Sequence, residues 1–236
     1  MNSLALVRSQ IEARFPAAFL QHTRFVPERL PMGIPAIDAL TQGGIPLNCL
    51  TEICGSSVAS SGKTTVVLSL LAQTTGQGRF CALVDASDSF DPATAEAAGT
   101  VFSHLLWVRC GKKQQKLPPL EQAFKVADML LQSSGFGLIA VDLSGISERV
   151  VRKVPMSTWF RFSRVVEKQP TALVFIEQQP HATNCAELVL KLTSQSVTFS
   201  GKLLMNFNLK VELLRTRAKK GAQSVSPEFP VKTQWA

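Results

Sequence analysis

The sequence predicts an α/β fold in which a mostly parallel sheet is flanked by helices and extended by antiparallel strands near the C-terminus. Short, nearly continuous apolar runs alternate with segments of helical periodicity, which is typical of a parallel sheet covered on both faces. Hydrophobic residues make up 45% and charged residues 18% of the 236 residues, a balance that supports a core and excludes wholesale disorder. The last third carries two longer, half-polar strand-like runs.

The N-terminal residues are predicted to form an amphipathic helix followed by a proline-punctuated linker. Leu4, Val7, Ile11 and Phe15 recur every three or four residues, the spacing of one helix face. The tail after Lys219 is rich in turn residues and is predicted to be irregular. The predicted division is residues 1–30 for the helix and linker, 31–218 for the core, and 219–236 for the tail.

The predicted core is built from short apolar strands separated by helices. The strand-like runs lie at 50–54, 80–84, 105–109, 138–141 and 173–176. Helices are predicted between the earlier runs, at about 63–76, 92–102 and 120–133. The half-polar runs at 186–199 and 202–215 predict longer, half-exposed strands that extend the sheet in antiparallel fashion.

Composition also excludes several classes of protein. No stretch of about 18 apolar residues could span a membrane, and the N-terminus lacks the basic start and cleavage site of a signal peptide. The five cysteines are scattered without metal-ligand spacing, which fits reduced thiols in a cytoplasm. A cytoplasmic protein without a membrane partner is therefore expected.

The net charge of +8 is unevenly distributed along the chain. Residues 1–100 hold 6 Lys and Arg against 8 Asp and Glu, whereas residues 101–236 hold 19 against 9. This asymmetry favours an acidic partner, nucleic acid first among them. A merely solubilising surface is the alternative.

The sharpest local signal is the segment 51–71, TEICGSSVASSGKTTVVLSLL. A strand-like run leads into a loop of small residues, and Gly62, Lys63, Thr64 and Thr65 then open a helix. Backbone N–H groups of such a loop converge on phosphate oxygens, and the helix dipole favours negative charge. The pattern predicts a nucleotide site in which Lys63 reaches the outer phosphates and the Thr64 hydroxyl binds Mg²⁺. An ordinary turn that caps a helix is the alternative.

The loop departs from the usual phosphate-binding pattern in its length. That pattern has four residues between its first glycine and the Gly-Lys pair, whereas six separate Gly55 from Gly62. Counting back from the lysine instead puts Ser57 at the position of the first glycine. Either the loop is two residues longer, with Ser60 and Ser61 among its phosphate contacts, or a serine stands where φ > 0 is often needed.

The chain resembles the RecA-type recombinases in segments that follow the family's order: PMGIPAIDALTQGGIPLNCLTEICG, SSGKTT, ALVDASDSFDP, LIAVDL and LVFIEQ. The resemblance runs from about residue 4 to residue 217. It implies a RecA-like P-loop NTPase core that binds ATP and Mg²⁺ between protomers and assembles into filaments on DNA. The leading helix looks like the RecA helix that packs on a neighbouring protomer, so residues 1–30 are expected to make an oligomer or partner contact.

The resemblance also implies roles for individual residues. Lys63 and Thr64 match the phosphate-binding lysine and the Mg²⁺-linked hydroxyl of the family. Asp142, at the end of the run LIAV, matches the aspartate that holds Mg²⁺ through water. Gln178, after LVFIE, matches the glutamine that senses the γ-phosphate and relays its presence to the DNA-binding loop.

Two arginines near the C-terminus align with a further family feature. Arg215 and Arg217, in LLRTRAKKG, match the paired cations that reach across the interface to a neighbour's nucleotide. A solvated charge pair on an edge strand is the alternative for both residues.

The glutamate that polarises the attacking water in the family is missing. Its position in ALVDASDSFDP is Ser87, and a serine cannot act as a general base at neutral pH unless it is activated. Because phosphoryl transfer needs a positioned water, weak or absent hydrolysis is expected. Asp88 could substitute if the loop shifted by one residue.

The second departure concerns the DNA-binding loops. Only QPHATNC, residues 179–185, separates Gln178 from the next strand-like run, whereas the segment SGISERVVRKVPMSTWFRFSR is basic and aromatic. Because cations neutralise phosphates and aromatic faces stack on bases, this segment predicts a DNA or partner contact. The expected contact residues are Arg149, Arg152, Lys153, Trp159, Arg161 and Arg164. An amphipathic helix that buries Trp159 and Phe162 is the alternative.

These features favour a RecA-like accessory protein of bacterial DNA repair and the SOS damage response, similar to the ImuA-type factors of translesion synthesis. Such an adaptor would contact DNA, chiefly single-stranded, or a DNA-bound assembly. It would dock on a Y-family polymerase-like partner, a RecA filament or another copy of itself. A minimal RecA-like DNA-dependent ATPase that forms recombination filaments on single-stranded DNA is one alternative. A RecA-fold regulator unrelated to DNA, of the clock or motility type, is another.

Overall fold

The computed structural model describes residues 11, 14, 28–56, 61–111, 117–182, 184–200, 203–216 and 223–230, with the backbone alone at 197–200, 203–206, 223 and 228–230. Ile11 and Arg14 are both helical, and the rest of the predicted leading helix lies outside the described residues. Part of the predicted irregular tail is ordered into strands, because the long strand before it offers an edge with which short segments can pair.

Helices separate successive strands along the described chain as far as residue 177, apart from one pair of strands with no helix between them. The described strands are β1 (Arg29–Leu30), β2 (Ile45–Pro46), β3 (Cys49–Gly55), β4 (Cys81–Asp85), β5 (Leu105–Arg109), β6 (Leu138–Asp142), β7 (Ala172–Glu177), β8 (Leu188–Ser200), β9 (Leu203–Thr216), β10 (Gln223–Val225) and β11 (Glu228–Pro230). The described helices are α1 (Pro35–Leu40), α2 (Lys63–Gly76), α3 (Pro92–Ala97), α4 (Pro119–Ser133), α5 (Glu148–Val151) and α6 (Met156–Val166). None of these helices has the length and apolar character that a bilayer crossing requires.

A nine-stranded sheet forms the centre of the molecule, in the order β10-β9-β8-β3-β7-β6-β4-β5, with β11 also paired to β9. Neighbours from β8 to β5 run parallel, whereas β9 pairs antiparallel with β8, β10 and β11. The predicted α/β class, with a mostly parallel sheet and an antiparallel C-terminal extension, is confirmed. Because β3, β7 and β6 are adjacent and parallel, the residues that follow them meet at one edge of the sheet.

Helices cover both faces of this sheet and bury its apolar strands. Leu70 and Leu71 of α2 belong to the cluster on one face. Leu131 of α4 and Trp159 and Phe162 of α6 belong to the cluster on the other. Every residue of β4 and β7 is buried, which explains why these strands are almost continuously apolar rather than alternating.

The predicted helix at 63–76 is confirmed, whereas the one at 92–102 is shorter than predicted. Asp91 caps the start of α3 by accepting hydrogen bonds from the N–H groups of Ala93 and Thr94. The helix ends at Ala97 because Gly99, at φ 91°, adopts the left-handed conformation that terminates helices.

Candidate nucleotide-binding cleft

Two glycines frame the loop between β3 and α2. Gly62 caps α2 in the left-handed region at φ 74°, and a Cβ there would lie 2.9 Å from side-chain carbons of Phe207 and Leu209. A Cβ on Gly55 would lie 2.7 Å from the Cβ of Ser61. Gly55 therefore ends its strand directly against Ser61, and the longer loop stays a prediction. Ser57 and Ser60 lie outside the described residues.

Lys63 points back from the first turn of α2 to the ends of two strands. Its Nζ donates hydrogen bonds to the carbonyl oxygens of Gly55, at 2.7 Å, and Glu177, at 3.0 Å. The side chain is buried, and this burial lowers the pKa of its ammonium group, against the raising influence of Asp142. A cation held by main-chain carbonyl dipoles at the mouth of a loop can exchange these acceptors for phosphate oxygens.

A cavity of about 260 Å³ lies beside this lysine. It brings together Lys63 and Thr64 of α2 with Asp142 at the end of β6 and Ser144 just beyond it. Asp142 accepts a hydrogen bond from the N–H of Ser144 at 2.8 Å, and its burial raises the pKa of its carboxyl group. A hydroxyl and a carboxylate are oxygen donors of the kind that Mg²⁺ prefers, so these residues fit a Mg²⁺–nucleotide. Thr65 is exposed and does not line the cavity.

Gln178 lies at the end of β7 but outside the lining of this cavity. Its Nε2 donates to the carbonyl oxygens of Ser144, at 3.0 Å, and Ile146, at 3.1 Å. Since Ser144 itself lines the cavity, this side chain ties the end of β7 to the loop that leads from the cavity into α5. The position suits the relay role that the resemblance implies.

Ser87, at the position of the missing glutamate, is half-buried beside the nucleotide cavity. Ser87 packs against Gly145, where a Cβ would lie 2.5 Å from the serine Oγ. Asp85 uses its carboxylate within its own turn, accepting from the N–H groups of Ser87 (3.2 Å), Ser89 (3.1 Å) and Phe90 (2.9 Å). A serine is not a general base at neutral pH unless it is activated, and the Asp85 carboxylate is already occupied by these three N–H groups.

Asp88 does not line the cavity either. Both of its carboxylate oxygens accept from Arg109 on β5, at 2.5 and 2.7 Å. The carboxylates that line the cavity, among the described residues, belong to Asp142 and to Asp91, which already caps α3. The structure therefore offers no free carboxylate as a base in the described part of the cleft.

The basic segment is an amphipathic helix pair, and one predicted contact residue is misplaced. Trp159 is 1% exposed and Phe162 is fully buried, and both pack edge-on against Phe124 with ring centroids about 5.5 Å apart. The prediction of Trp159 as a contact residue is wrong, because its indole completes the core between α4, α6 and the sheet. Phe160, 40% exposed, is the aromatic residue on the outer face.

The cations of this segment differ in their surroundings. Arg161 forms an ion pair with Asp128 at 2.8 Å and lies over the ring of Phe162. The remaining predicted cations are exposed, and none of them forms an ion pair with any residue whose side chain the structure describes; they are Arg149, Arg152, Lys153 and Arg164. These four are available to an acidic partner.

Of the two C-terminal arginines that were predicted to reach a neighbour's nucleotide, Arg215 is among the described residues. Arg215 lies at the end of β9 and its Nη2 donates to the carbonyl oxygen of Asn184 at 3.4 Å. Arg217 lies outside the described residues. Within one protomer, Arg215 therefore contacts the loop after β7, and its predicted role across an interface stays a prediction.

The structure contains a buried pair of glutamates that was not predicted from the sequence. Glu52 is fully buried in the middle of β3, and Glu177 is 1% exposed at the end of β7. Burial raises the pKa of both carboxyl groups, that of Glu177 to about 7. His181 bonds to both carboxylates, to Glu52 through its main-chain N–H and to Glu177 through its Nδ1. The signal available in the sequence was a glutamate inside each of two otherwise apolar strands, a residue type that is almost never fully buried unless paired.

Comparison with known proteins shows similarity to RecA proteins. Residues 9–150 match the model of the RecA N-terminal domain. Protein RecA of Marinobacter nauticus is 34% identical over 149 residues, which cover 60% of this chain and 40% of that protein. Protein RecA of Chloroflexus aurantiacus is 25% identical over 257 residues, which cover 98% of this chain and 68% of that protein.

A solved structure with the same fold is that of the RadB recombinase. It superposes with a TM-score of 0.62 at 18% sequence identity and covers 84% of this chain and 94% of its own. The likeness confirms the predicted fold. In sequence, the chain spans about 40% of the length of the RecA proteins of Marinobacter nauticus and Colwellia psychrerythraea.

Proposed function

The chain belongs to the RecA N-terminal domain family, and from this premise we propose that it is a nucleotide-binding accessory protein of bacterial DNA repair with weak or absent ATP hydrolysis. Within DNA repair, we propose that it acts as a translesion-synthesis adaptor of the ImuA type in the SOS response. It works in the cytoplasm, binding DNA or a DNA-bound assembly and a protein partner.

The observation that carries this proposal is the absence of a usable base in the described cleft. Ser87 occupies the position of the family's glutamate and is packed against Gly145. Asp88 is held by Arg109 on β5. General-base catalysis contributes about 10²–10⁴-fold to a rate, so a cleft without it binds nucleotide far better than it hydrolyses it.

Nucleotide binding is supported by what remains in the cleft. Lys63, Thr64 and Asp142 line one cavity, and the loop's N–H groups precede a helix of 14 residues, whose N-terminal dipole favours phosphate. Thr64 and Asp142 would hold Mg²⁺, which neutralises phosphate charge when bound. Binding without turnover gives the protein a stable nucleotide-bound shape, which is what an adaptor requires.

The contact with DNA or a DNA-bound partner is supported by the outer face of α5 and α6. Arg149, Arg152, Lys153 and Arg164 are exposed beside Phe160. Cations and an accessible ring suit single-stranded nucleic acid, since they neutralise phosphates and stack on bases. Steep weakening of DNA binding by added salt is expected of such a face, and a salt-insensitive interaction would assign it to a protein partner.

The β5 end of the sheet supports a contact with another copy, with a RecA filament or with a Y-family polymerase-like partner. The strand β5 is the last in the described strand order, so one of its edges can accept another chain. Leu106 on β5 is 45% exposed, and Phe80 and Phe102 nearby are 54% and 41% exposed. Exposed apolar groups beside an open edge are typical of protein–protein contacts.

A minimal RecA-like DNA-dependent ATPase is the second candidate. The convergence of Lys63, Thr64 and Asp142 on one cavity favours it, because these groups serve catalysis as well as binding. The two candidates differ in turnover and not in affinity.

One experiment separates them: ATP binding and ATP hydrolysis measured on the same purified sample, with Mg²⁺, with and without single-stranded DNA. The proposal predicts measurable ATP binding with turnover near background in both conditions. Robust DNA-stimulated turnover would overturn it and establish the second candidate. If ATP does not bind, both candidate functions are contradicted, because each requires a bound nucleotide.

A further inference from the structure

The segment 179–182, which follows Gln178, is bonded to two buried glutamates of the central sheet. Oε1 of Glu52 accepts hydrogen bonds from the main-chain N–H groups of His181 and Ala182, both at 2.6 Å. Oε2 of Glu177 lies 2.5 Å from Nδ1 of the His181 ring. Carboxylates from two adjacent strands, β3 and β7, therefore attach the same short segment to the sheet.

The two glutamates share one face of that sheet. β3 and β7 run parallel, with Cys54 in register with Glu177. Because side chains alternate between the two faces along a strand, Glu52 lies on the same face as Cys54, and Glu177 lies there too. The negative charge of Glu52 accordingly raises the pKa of Glu177. We call Glu52, Glu177 and His181 the proton cluster.

Two protons make this cluster electrically neutral. Glu52 is fully buried and Glu177 is 1% exposed, and one oxygen of each has no hydrogen-bond donor among the described residues. A charged imidazole at His181 compensates one carboxylate, so the other must hold a proton if no net charge is to be buried. Since uncompensated buried charge is costly, the packed arrangement favours both protons.

The direct causes acting on the three groups agree with this count. Burial is the largest cause for both carboxyl groups and raises their pKa values, that of Glu177 to about 7. Lys63 of α2 lowers the pKa of Glu177, and Arg215 of β9 lowers that of Glu52, each to a smaller extent. The hydrogen bond to Glu177 raises the pKa of His181, against the lowering effect of its own burial.

Other titratable groups near the cluster do not replace its protons. They are Cys54 on β3, Lys191 on β8, and Glu148 and Arg152 on α5. Burial raises the pKa of the Cys54 thiol to about 12, so this group stays neutral. Glu148 and Arg152 line a hollow together with His181, and their opposite charges offset each other. Helix α6 contributes the uncharged Trp159, on which the imidazole stacks.

We propose that Glu52, Glu177 and His181 form a proton-operated latch, which holds the segment 179–182 on the sheet when the cluster carries its protons and releases it when they are lost. The inference goes beyond the proposed function, because it concerns the protein without nucleotide or partner. Loss of the protons leaves negative charge buried, and release of the segment lets water reach both carboxylates. Because the closed form binds protons more tightly than the open form, closure is complete at low pH and is lost as the pH rises through the raised pKa values.

The segment can open without disturbing the strands beneath the cluster. β3 is hydrogen-bonded to β7 on one side and to β8 on the other, so it is fixed independently of the latch. Gln179 is exposed and His181 is half-buried. The contacts that hold this segment to β3 and β7 are therefore the ones that depend on protons.

The test is native-state hydrogen exchange of the full chain, followed by NMR at several pH values and corrected for the intrinsic exchange rate of each amide. The amides of His181 and Ala182 report the latch, because both donate to Glu52. A difference of one pKa unit between the closed and open forms changes the opening equilibrium about tenfold. Protection of these two amides is therefore expected to fall about tenfold between pH 5 and pH 8.

Low concentrations of urea separate local release from global unfolding. Opening of a short segment exposes little surface and responds weakly to urea, whereas global unfolding responds strongly. Ala140, buried in the middle of β6, provides the reference amide for global unfolding. Exchange at His181 and Ala182 is expected to stay constant at urea concentrations that accelerate exchange at Ala140.

The variant Glu177→Gln imitates the protonated carboxyl group. It is expected to keep the segment closed at every pH, so that at high pH His181 and Ala182 are better protected than in the wild type. A merely structural role for Glu177 predicts the opposite, weaker protection at every pH. Glu167→Gln makes the same change of charge at the exposed end of α6 and is the matched control, expected to behave like the wild type.

The titration of His181 in the wild type keeps the test decisive even where Glu177→Gln fails to fold. Its ring resonance is expected to titrate with a midpoint above about 6.5, the ordinary value of a histidine. A midpoint at or below that value would overturn the inference. So would protection at His181 and Ala182 that is independent of pH, that falls only through urea-sensitive unfolding, or that falls in Glu177→Gln as it does in the wild type.

Discussion

The Nζ of Lys63 lies 3.0 Å from the carbonyl oxygen of Glu177, to which it donates a hydrogen bond. The carboxylate of the same glutamate lies 2.5 Å from the imidazole of His181. One residue at the end of β7 therefore touches the lysine of the nucleotide cleft through its main chain and the loop after β7 through its side chain. A phosphate that draws Lys63 away changes the charge environment of Glu177 directly.

Replacement of Lys63 should abolish most nucleotide affinity without unfolding the protein. Loss of hydrogen bonds from a charged group is worth about 2 kcal/mol, so Lys63→Ala is expected to weaken Mg²⁺–ATP binding about 30-fold or more, as measured by isothermal calorimetry. Lys125→Ala, on the exposed side of α4, is the control. Equal affinity in wild type and Lys63→Ala would show that the cleft is not the nucleotide site.

A glutamate at position 87 should restore part of the missing chemistry. Ser87→Glu is expected to raise single-stranded-DNA-dependent ATP turnover at least tenfold, within the range of a general base. The gain is limited because Gly145 approaches this side chain closely. Ser89→Glu adds the same charge to a residue that lines the cleft and should give no gain. If Ser87→Glu also gives none, the geometry of the loop between β3 and α2 is unsuited to hydrolysis as well.

Release of Asp88 should not create a base. Arg109→Gln removes the bidentate partner of Asp88, but Asp88 is not among the residues that line the nucleotide cavity. Turnover measured by phosphate release is expected to stay at the wild-type background. A rise that disappears in the double variant Arg109→Gln, Asp88→Asn would identify Asp88 as the base.

Neighbouring aromatic residues on α6 should separate stability from binding. Trp159→Ala opens a cavity in the core and is expected to cost about 3–5 kcal/mol of unfolding free energy, measured by urea titration. Phe160→Ala, on the exposed face, is expected to change it by less than about 0.5 kcal/mol and to weaken oligonucleotide binding. A destabilised Phe160→Ala protein would contradict the assignment of the two faces.

Stability should fall as the pH rises through neutrality. Burial raises the pKa of Glu177 to about 7, and the bond to Glu177 raises that of His181. For both groups the folded state binds the proton more tightly than the unfolded state does, so their stabilisation is complete at low pH and is lost above about pH 7. The expected fall between about pH 5 and pH 8 is of the order of 1 kcal/mol.

Urea unfolding at several pH values measures this effect. Glu177→Gln is expected to flatten the dependence, whereas Glu121→Gln on the exposed face of α4 should leave it intact. Stability that rises over the same pH range would show that the folded state does not bind the protons of Glu177 and His181 more tightly than the unfolded state does.

Local patterns along the chain determined the architecture and most of the nucleotide cleft. Apolar runs of five residues separated by helical segments are enough to predict parallel strands, because burial on both faces leaves no polar alternation. The glycine, lysine and threonine at 62–64 predict a helix N-terminus for phosphate, and α2 begins at Lys63. An aspartate after an apolar strand predicts an acid at the edge of the sheet, where Asp142 lies.

Only the tertiary structure decided what depends on neighbours distant in the chain. Glu52 and His181 are 129 positions apart, and they meet because β3 and β7 are adjacent in the sheet, an order that no local pattern encodes. The capture of Asp88 by Arg109 depends likewise on the adjacency of β4 and β5. The sequence did not determine whether Trp159 is buried, because an amphipathic segment does not show which of its faces the core covers. In the structure Trp159 packs against Phe124 of α4 and Phe175 of the sheet, and it is therefore part of the core.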